Sequence, residues 1–276
     1  MTPEAQKNLS LWLDGPYDAA TKQQILEQVE NHPETLEDAF YTRLSFGTGG
    51  LRGLMGVGTN RMNGYTVRAT TQGLANYLKK TSKAPLSVCI GYDARHQSRF
   101  FAEEAAKVLS GNAIQVFLFQ EIRPTPLVSF ACRNKGCSAA IMITASHNPS
   151  AYNGYKVYWS DGAQVLPPHD VGILQETALI ESPTQVYAAP DVYNPWIAWL
   201  GEEMDQLYLD AVSPLQIYPK QNQTSGKQLK VVYTSLHGTG VTLVPKILST
   251  WGFSKVFPVA AQMVPDGDFP TVPSPN

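Results

Sequence analysis

The stretch C-S-A-A-I-M-I-T-A-S-H-N-P, residues 137–149, decides the fold of this chain. Residues 137–143 are small and apolar after Ser138, and such a short run bounded by turn residues predicts a buried β-strand. Proline lacks an N–H and pushes the preceding residue out of the helical region, so the strand must end in a loop. Ser146 is thereby placed at a strand end, where α/β proteins commonly hold their active groups.

Composition alone leaves two interpretations of Ser146 open. A serine beside His147 and near Lys156 is a candidate covalent nucleophile or phosphate carrier. Serine, asparagine and proline also make ordinary turns. The word T-A-S-H-N-P (144–149), followed by N-G-Y-K (153–156), resembles the phosphoserine loop of the α-D-phosphohexomutases. That resemblance favours the phosphate carrier.

A glycine-rich stretch, F-G-T-G-G-L-R-G at residues 46–53, precedes this loop in the chain. Glycines let backbone N–H groups approach an anion closely, although the same composition also fits a flexible turn. The stretch matches neither a Walker A loop nor a dinucleotide fingerprint. Arg52 favours an anion site, because a guanidinium can contact phosphate through two donors. The stretch also resembles a phosphohexomutase word, which implies that Thr48, Gly49 and Arg52 bind substrate.

Four further words follow in the order of the same family. They are G-x-D-x-R-x-x-S (91–98), P-T-P-L (124–127), L-H-G-T-G (236–240) and P-D-G-x-F-P (265–270). We interpret Asp93 and Arg95 as a structural ion pair that shapes a loop rather than as catalytic groups. His237 alone is typical of a turn, and the resemblance implies a substrate contact. Asp266 and Asp268 lack the further oxygen ligands of a calcium loop.

The alternation of predicted strands and helices indicates an α/β protein with a largely parallel sheet and helices on both faces. The resemblance implies a three-layer α/β/α domain with a mixed, largely parallel sheet, followed by an incomplete second domain of the same type. We expect a helical arm (1–42), a first domain with the phosphoserine loop (43–190), a connecting segment (191–213) and the start of a second domain (214–276). Within these we predict helix N-caps at Thr2 and Asp18, a return strand at 164–166 and a helix at 241–251.

The composition argues against several classes of partner. With 276 residues and a formal net charge of −2, the chain lacks the basic footprint of a protein that binds nucleic acid or an anionic membrane. No secretory signal or apolar run of membrane-spanning length is present, so we expect a cytoplasmic protein. We expect Cys89, Cys132 and Cys137 to be reduced thiols, because their spacing completes no zinc site.

The resemblance implies a phosphoryl shuttle that acts on a small sugar phosphate. Phosphorylated Ser146 would donate its phosphoryl group to the sugar, with Mg²⁺ bound in part through the phosphate of Ser146 and a sugar 1,6-bisphosphate as activator. Lys156 and Arg52 are candidates for positioning and acid–base assistance, and His147 for orienting Ser146. Asn148 is a candidate substrate contact. A proton-transfer role requires a lowered lysine pKa, which a neighbouring arginine would favour.

The sequence departs from the family in its second half. Phosphohexomutases continue with a D-x-D-x-D-R metal loop and a G-E-x-S sugar loop, and neither word occurs here. We therefore expect a fragment, most similar to the phosphoglucomutase type 2 and phosphopentomutase branch. One alternative is a non-catalytic module that binds sugar phosphates. A serine hydrolase is disfavoured because adjacent residues such as Ser146 and His147 rarely serve one proton. The sugar and the oligomeric state stay open.

Overall fold

The computed structural model describes residues 1–47 and 50–272. It begins with the predicted helical arm: α1 (Pro3–Asp14), α2 (Ala19–Asn31) and the short α3 (Leu36–Phe40). Thr2 and Asp18 cap α1 and α2 through their side chains, as the sequence predicts. These caps satisfy N–H groups that have no partner inside the helix. The apolar faces of the arm pack into a small separate core, which Val57 and Tyr65 join.

A seven-stranded mixed sheet forms the centre of the molecule. Its strands are β1 (Phe46–Gly47), β2 (Gly50–Leu54), β3 (Ser87–Tyr92), β4 (Gln115–Phe119), β5 (Ala139–Ile143), β6 (Tyr152–Trp159) and β7 (Ile197–Leu200). They lie in the order β1-β2-β6-β5-β3-β4-β7. The strands β5, β3, β4 and β7 are parallel neighbours, whereas β6 pairs antiparallel with both β5 and β2. The predicted mixed sheet is confirmed.

Helices cover both faces of this sheet and bury two separate apolar cores. The helices α4 (Gly64–Thr81), α5 (Ser98–Gly111) and α7 (His169–Ala178) contribute to one core. On the other face, α6 (Thr125–Asn134) and α8 (Glu202–Val212) contribute to the second. The three-layer α/β/α prediction is therefore confirmed. The second core contains all three cysteines, which are free and buried.

Two details of the sheet differ from the sequence prediction. The return strand expected at 164–166 is only an isolated bridge between Tyr158 and Gln164. Pro167 and Pro168 follow at once, and proline cannot donate to a strand ladder. The strand β7 was not predicted, yet it pairs with β4 at the edge of the sheet. It is only four residues long, and a short apolar run after a proline- and asparagine-rich stretch carries little periodic signal.

The remaining described residues begin a second, smaller α/β unit. The strands β8 (Lys230–Tyr233) and β9 (Lys255–Pro258) form a parallel pair, with α9 (Pro219–Thr224) before them and α10 (Val244–Thr250) between them. The helix predicted at 241–251 is wrong in its start: a 3₁₀ turn, Thr239–Thr242, precedes α10. Pro245 lies in the first turn of α10, where its missing N–H is tolerated. The predicted domain boundaries stay predictions.

No helix in the described ranges is long and apolar enough to cross a membrane.

Candidate functional site

Ser146 lies in a loop at the carboxyl end of β5. All five residues of β5 are buried, and burial continues through Thr144 and Ala145 before the chain reaches the surface at Ser146. Ser146 has a φ of 59°, a left-handed conformation that non-glycine residues rarely adopt. The buried strand and this sharp turn together present the serine hydroxyl to solvent.

The buried guanidinium of Arg95 organises the backbone of this loop. Its Nη2 donates to the carbonyl oxygens of Ser146 (2.9 Å) and Asn148 (2.5 Å), and its Nη1 donates to those of Pro149 (2.8 Å) and Tyr152 (3.1 Å). One side chain thus donates to four carbonyl groups of the loop and the start of β6. A planar guanidinium can do this because its donors point in several fixed directions.

The carboxylate of Asp93 holds Arg95 in place. Its Oδ2 lies 3.4 Å from Arg95 Nε, and its Oδ1 accepts from Ser98 Oγ at 2.7 Å. The hydroxyl of Thr144 also bonds this carboxylate. Burial raises the pKa of Asp93, and these hydrogen bonds and Arg95 oppose that rise. The predicted ion pair is present, and its contacts are those of a group that shapes the loop.

Thr144 and Asn153 make further hydrogen bonds around the loop, and the sequence predicted no role for either side chain. Thr144 Oγ1 accepts the Ser146 N–H at 2.9 Å while its hydroxyl bonds Asp93. Asn153 Nδ2 donates to Ser98 Oγ at 2.9 Å. A threonine two residues before a turn residue is a known local pattern, so the role of Thr144 had a readable signal. The role of Asn153 depends on a contact with α5 that only the fold provides.

His147 is exposed beside the serine hydroxyl. Its Nδ1 lies 3.4 Å from Ser146 Oγ, which is longer than the usual hydrogen bond between such atoms. The two predicted site residues are therefore neighbours in space, close enough for His147 to orient the serine side chain.

Arg52 reaches the loop from β2. It pairs in register with Gly154 of β6, and its Nη1 donates to Asn148 Oδ1 at 3.0 Å. A Cβ atom on Gly154 would lie 2.6 Å from the carbonyl oxygen of Thr144. Only glycine therefore allows β6 to approach the loop this closely.

Lys156 lies two residues beyond Gly154 and so faces the same side of the sheet. It is half-buried, and its pKa is lowered first by burial and second by the charge of Arg52. The charge of Asp93 opposes this shift. The structure thus brings five candidate residues to the region around the carboxyl end of β5. They are Ser146, His147, Asn148, Arg52 and Lys156.

Two predicted substrate contacts, Thr48 and Gly49, lie outside the described residues. A third, His237, is buried in the second unit: its Nδ1 lies 2.9 Å from the carbonyl oxygen of Val264, and its Nε2 lies 2.8 Å from Thr271 Oγ1. Both ring nitrogens are therefore engaged inside the protein. The substrate contact of His237 stays a prediction, and this geometry does not support it.

The segment 266–269 of the second unit packs against the Arg95 loop. The phenyl ring of Phe269 lies 5.1 Å from Arg95 Cζ, and Asp268 Oδ1 lies 2.7 Å from His96 Nε2. Phe269 is buried despite a φ of 51°. Asp268 is thus paired with His96, and the second unit helps to hold the loop through its contact with Arg95.

The described residues include no group of three histidine, cysteine, aspartate or glutamate side chains that could hold a metal ion. Ser146 is the one predicted Mg²⁺ ligand, through its phosphate. These residues therefore do not fit a complete Mg²⁺ site, and the predicted cation stays a prediction.

Two family models match the chain. The model described as phosphoglucomutase/phosphomannomutase, alpha/beta/alpha domain I, matches residues 43–184. The model for alpha/beta/alpha domain II of the same family matches residues 206–276.

Curated relatives and solved structures agree with these matches. A probable phosphoribomutase of Schizosaccharomyces pombe is 37% identical over 287 residues, covering 100% of this chain and 48% of the relative. A phosphoglucomutase of Staphylococcus aureus is 36% identical over 274 residues, covering 99% and 48%. The crystal structure of a putative phosphomannomutase from Thermus thermophilus aligns with a TM-score of 0.69 and 26% identity, covering 84% and 48%. The chain spans about half the length of the curated relatives it matches.

Proposed function

Because the chain belongs to the phosphoglucomutase/phosphomannomutase family, we propose that Ser146 carries a phosphoryl group in the interconversion of aldose phosphates. The group would move between C1 and C6, or C1 and C5, through a sugar bisphosphate. The main support is the exposed position of Ser146 on a loop that Arg95 fixes through hydrogen bonds to its carbonyl groups. A phosphate carrier needs this combination of access and fixed position.

The proposed transfer is a balanced exchange. A hydroxyl oxygen of the sugar monophosphate attacks the phosphorus of phosphorylated Ser146, a new O–P bond forms, and the bond from phosphorus to Ser146 Oγ breaks. The hydroxyl proton leaves the sugar, and Ser146 Oγ gains a proton. The sugar bisphosphate then reorients, and the reverse exchange returns its other phosphoryl group to the serine.

We assign the proton transfer to Lys156. As an ammonium it donates a proton to Ser146 Oγ and regains one from the sugar hydroxyl, so it ends each transfer unchanged. Its lowered pKa supports this role, because a lysine with the ordinary pKa is too weak an acid to donate a proton readily near neutral pH. Arg52, held by Asn148, is assigned to the phosphate oxygens of the substrate, where a guanidinium makes paired contacts. His147 orients the serine phosphate.

The test is to incubate the purified chain with glucose 1,6-bisphosphate and Mg²⁺ and to locate phosphate by peptide mass mapping. We expect one phosphoryl group on Ser146 and none in Ser146→Ala. The exposed turn serine Ser160 provides the matched control, since Ser160→Ala should be phosphorylated like the parent. Phosphate on any other residue, or none, contradicts the proposal.

A non-catalytic module for sugar phosphates is the second candidate, favoured by the exposure of Arg52 and its bond to Asn148. It predicts that glucose 1,6-bisphosphate binds and that Arg52→Gln weakens this binding, while Ser146 stays unmodified. Isothermal titration beside the mass measurement separates the two functions.

A further inference from the structure

A cavity of about 380 Å³ lies between the helical arm and the first sheet, separate from the Ser146 loop. Its walls come from Trp12 of α1, Ala69 of α4, Ala178 of α7 and Leu51 of β2. Leu51 precedes Arg52, and neighbouring strand residues face opposite sides of a sheet. The cavity therefore lies on the face of β2 that is opposite to the Arg52 side chain.

The cavity offers a ligand few free polar groups among the hydroxyl side chains that line it. Four threonines line it, but their hydroxyls are already bonded to backbone carbonyl oxygens: Thr59 to Thr42 at 2.6 Å, Thr66 to Arg61 at 2.9 Å, Thr70 to Thr66 at 2.9 Å, and Thr177 to Ile173 at 2.9 Å. The hydroxyl of Tyr65 is likewise bonded to Asp18. What remains for a ligand is mainly aromatic and aliphatic surface.

The charged groups at the cavity are not equally available. Arg68 is paired with Glu104. The guanidinium of Arg43 donates to the carbonyl oxygen of Ile180 at 3.3 Å, and within residues 1–47 and 50–272 it forms no ion pair. The charge of Arg43 acts on Tyr17, whose pKa burial raises to about 12. Among the described residues Arg43 is thus a cation without a partner anion, next to a neutral phenol.

We propose that this cavity binds a small organic monoanion, with an apolar ring against Trp12 and Leu51 and its acid group at Arg43. Ligand pockets of roughly 300–1,000 Å³ are typically apolar with a few convergent polar groups. Burial of the ring supplies most of the affinity, and the cation selects an anion over a neutral molecule of the same shape. Glu181, the acidic side chain in the lining, opposes the ligand charge. The proposal does not depend on phosphoryl transfer by Ser146.

Two fluorescent probes test the proposal on the intact chain. They are 1-anilinonaphthalene-8-sulfonate and N-phenyl-1-naphthylamine, which share a ring body and differ by the sulfonate. We expect the sulfonate probe to bind about tenfold tighter, the size of one charge-assisted contact. Arg43→Gln should remove that preference and leave the neutral probe unchanged. Glu181→Gln should increase affinity for the sulfonate probe.

Two cavity-filling variants locate the binding. Ala69→Phe fills the space from α4 and Ala178→Phe fills it from α7, and each should abolish both signals. Ala20→Phe, on the exposed face of α2, is the matched control and should bind like the parent. Circular dichroism confirms that each variant is folded.

Equal binding by the filled variants and the parent overturns the proposal, because the probes then bind elsewhere. An unchanged probe preference in Arg43→Gln overturns the assigned ligand charge. Loss of probe binding as the protein dimerises at higher concentration also contradicts the proposal, since a second copy would then occupy the cavity.

Discussion

Arg95 Nη2 donates to the carbonyl oxygen of Ser146 at 2.9 Å, so the residue proposed to carry phosphate is held through its backbone. The Ser146 side chain is left free for chemistry. Arg95 is itself held by Asp93 and covered by Phe269. The position of the serine hydroxyl therefore depends on three side chains that do not touch it.

Replacing Arg95 should damage both the fold and phosphorylation. Arg95→Ala leaves Asp93 buried without its cation and removes the hydrogen bonds to four carbonyl groups, so we expect the free energy of unfolding to fall by about 3–5 kcal/mol. Arg95→Lys keeps the charge but not the planar set of donors, so it should stabilise the loop less than arginine. Urea unfolding measures the stability of both variants, and peptide mass mapping measures phosphorylation of Ser146.

Arg99→Ala is the control for that experiment, because Arg99 forms an exposed pair with Glu103. It should cost less than about 1 kcal/mol. Equal losses for Arg95→Ala and Arg99→Ala would show that Arg95 does not organise the loop.

Thr144→Val should destabilise the serine turn. It removes the acceptor of the Ser146 N–H and a donor to Asp93, and an unsatisfied buried polar group costs about 1–3 kcal/mol. Thr144→Ser retains the hydroxyl and should restore most of this loss. Hydrogen exchange at the Ser146 amide reports the change directly, and unchanged exchange in Thr144→Val would refute the assigned bond.

Phe269→Ala should weaken the packing of the second unit against the loop. Phe269 is 8% exposed and lies over Arg95, so we expect a loss of about 3 kcal/mol, as for other buried aromatic side chains. Asp268→Asn alters only an exposed pair with His96 and should cost less than about 1 kcal/mol. Thermal unfolding of the two variants compares them, and the reverse order contradicts the assigned contact.

Lys156 should reduce stability at neutral pH. Its folded pKa lies below the ordinary lysine value of 10.5, so the folded state binds its proton less tightly than the unfolded state does. This cost is present below the folded pKa and is relieved as pH rises from the folded pKa towards the unfolded one. Lys156→Met should therefore be more stable than the parent at pH 7, and the difference should shrink as the pH approaches 10.5.

Chemical denaturation across this pH range checks the prediction, because titrations common to both proteins cancel in the comparison. A difference that grows with pH would contradict the lowered pKa. Lys156→Met should also slow phosphorylation of Ser146, because the proposed proton carrier is gone.

Much of the fold was readable because its main signals are local. The apolar run at β5, the caps at Thr2 and Asp18, and the alternation of strands and helices depend on neighbours in sequence. The strand β7 was missed because its pairing with β4 is set by the sheet and not by its own four residues. The same limit applies to the start of α10, where the chain first makes a 3₁₀ turn.

The candidate site likewise combines features with a local sequence signal and features that only the folded chain shows. The words around Arg52, Arg95 and Ser146 predicted candidate site residues, and in the structure Arg52 and Arg95 both donate hydrogen bonds to the Ser146 loop. The sequence did not predict that Phe269 covers Arg95 across a separation of more than a hundred residues. It also could not predict that both ring nitrogens of His237 have internal partners.

The most direct test of the phosphoryl shuttle is a chase of labelled phosphoserine. The chain is phosphorylated on Ser146 with labelled glucose 1,6-bisphosphate, freed of excess label and mixed with unlabelled glucose 1-phosphate, or with ribose 1-phosphate in a parallel sample. Our account predicts that the label leaves the protein and is recovered in the corresponding sugar bisphosphate. Label that stays on Ser146, or is recovered as inorganic phosphate, would contradict it.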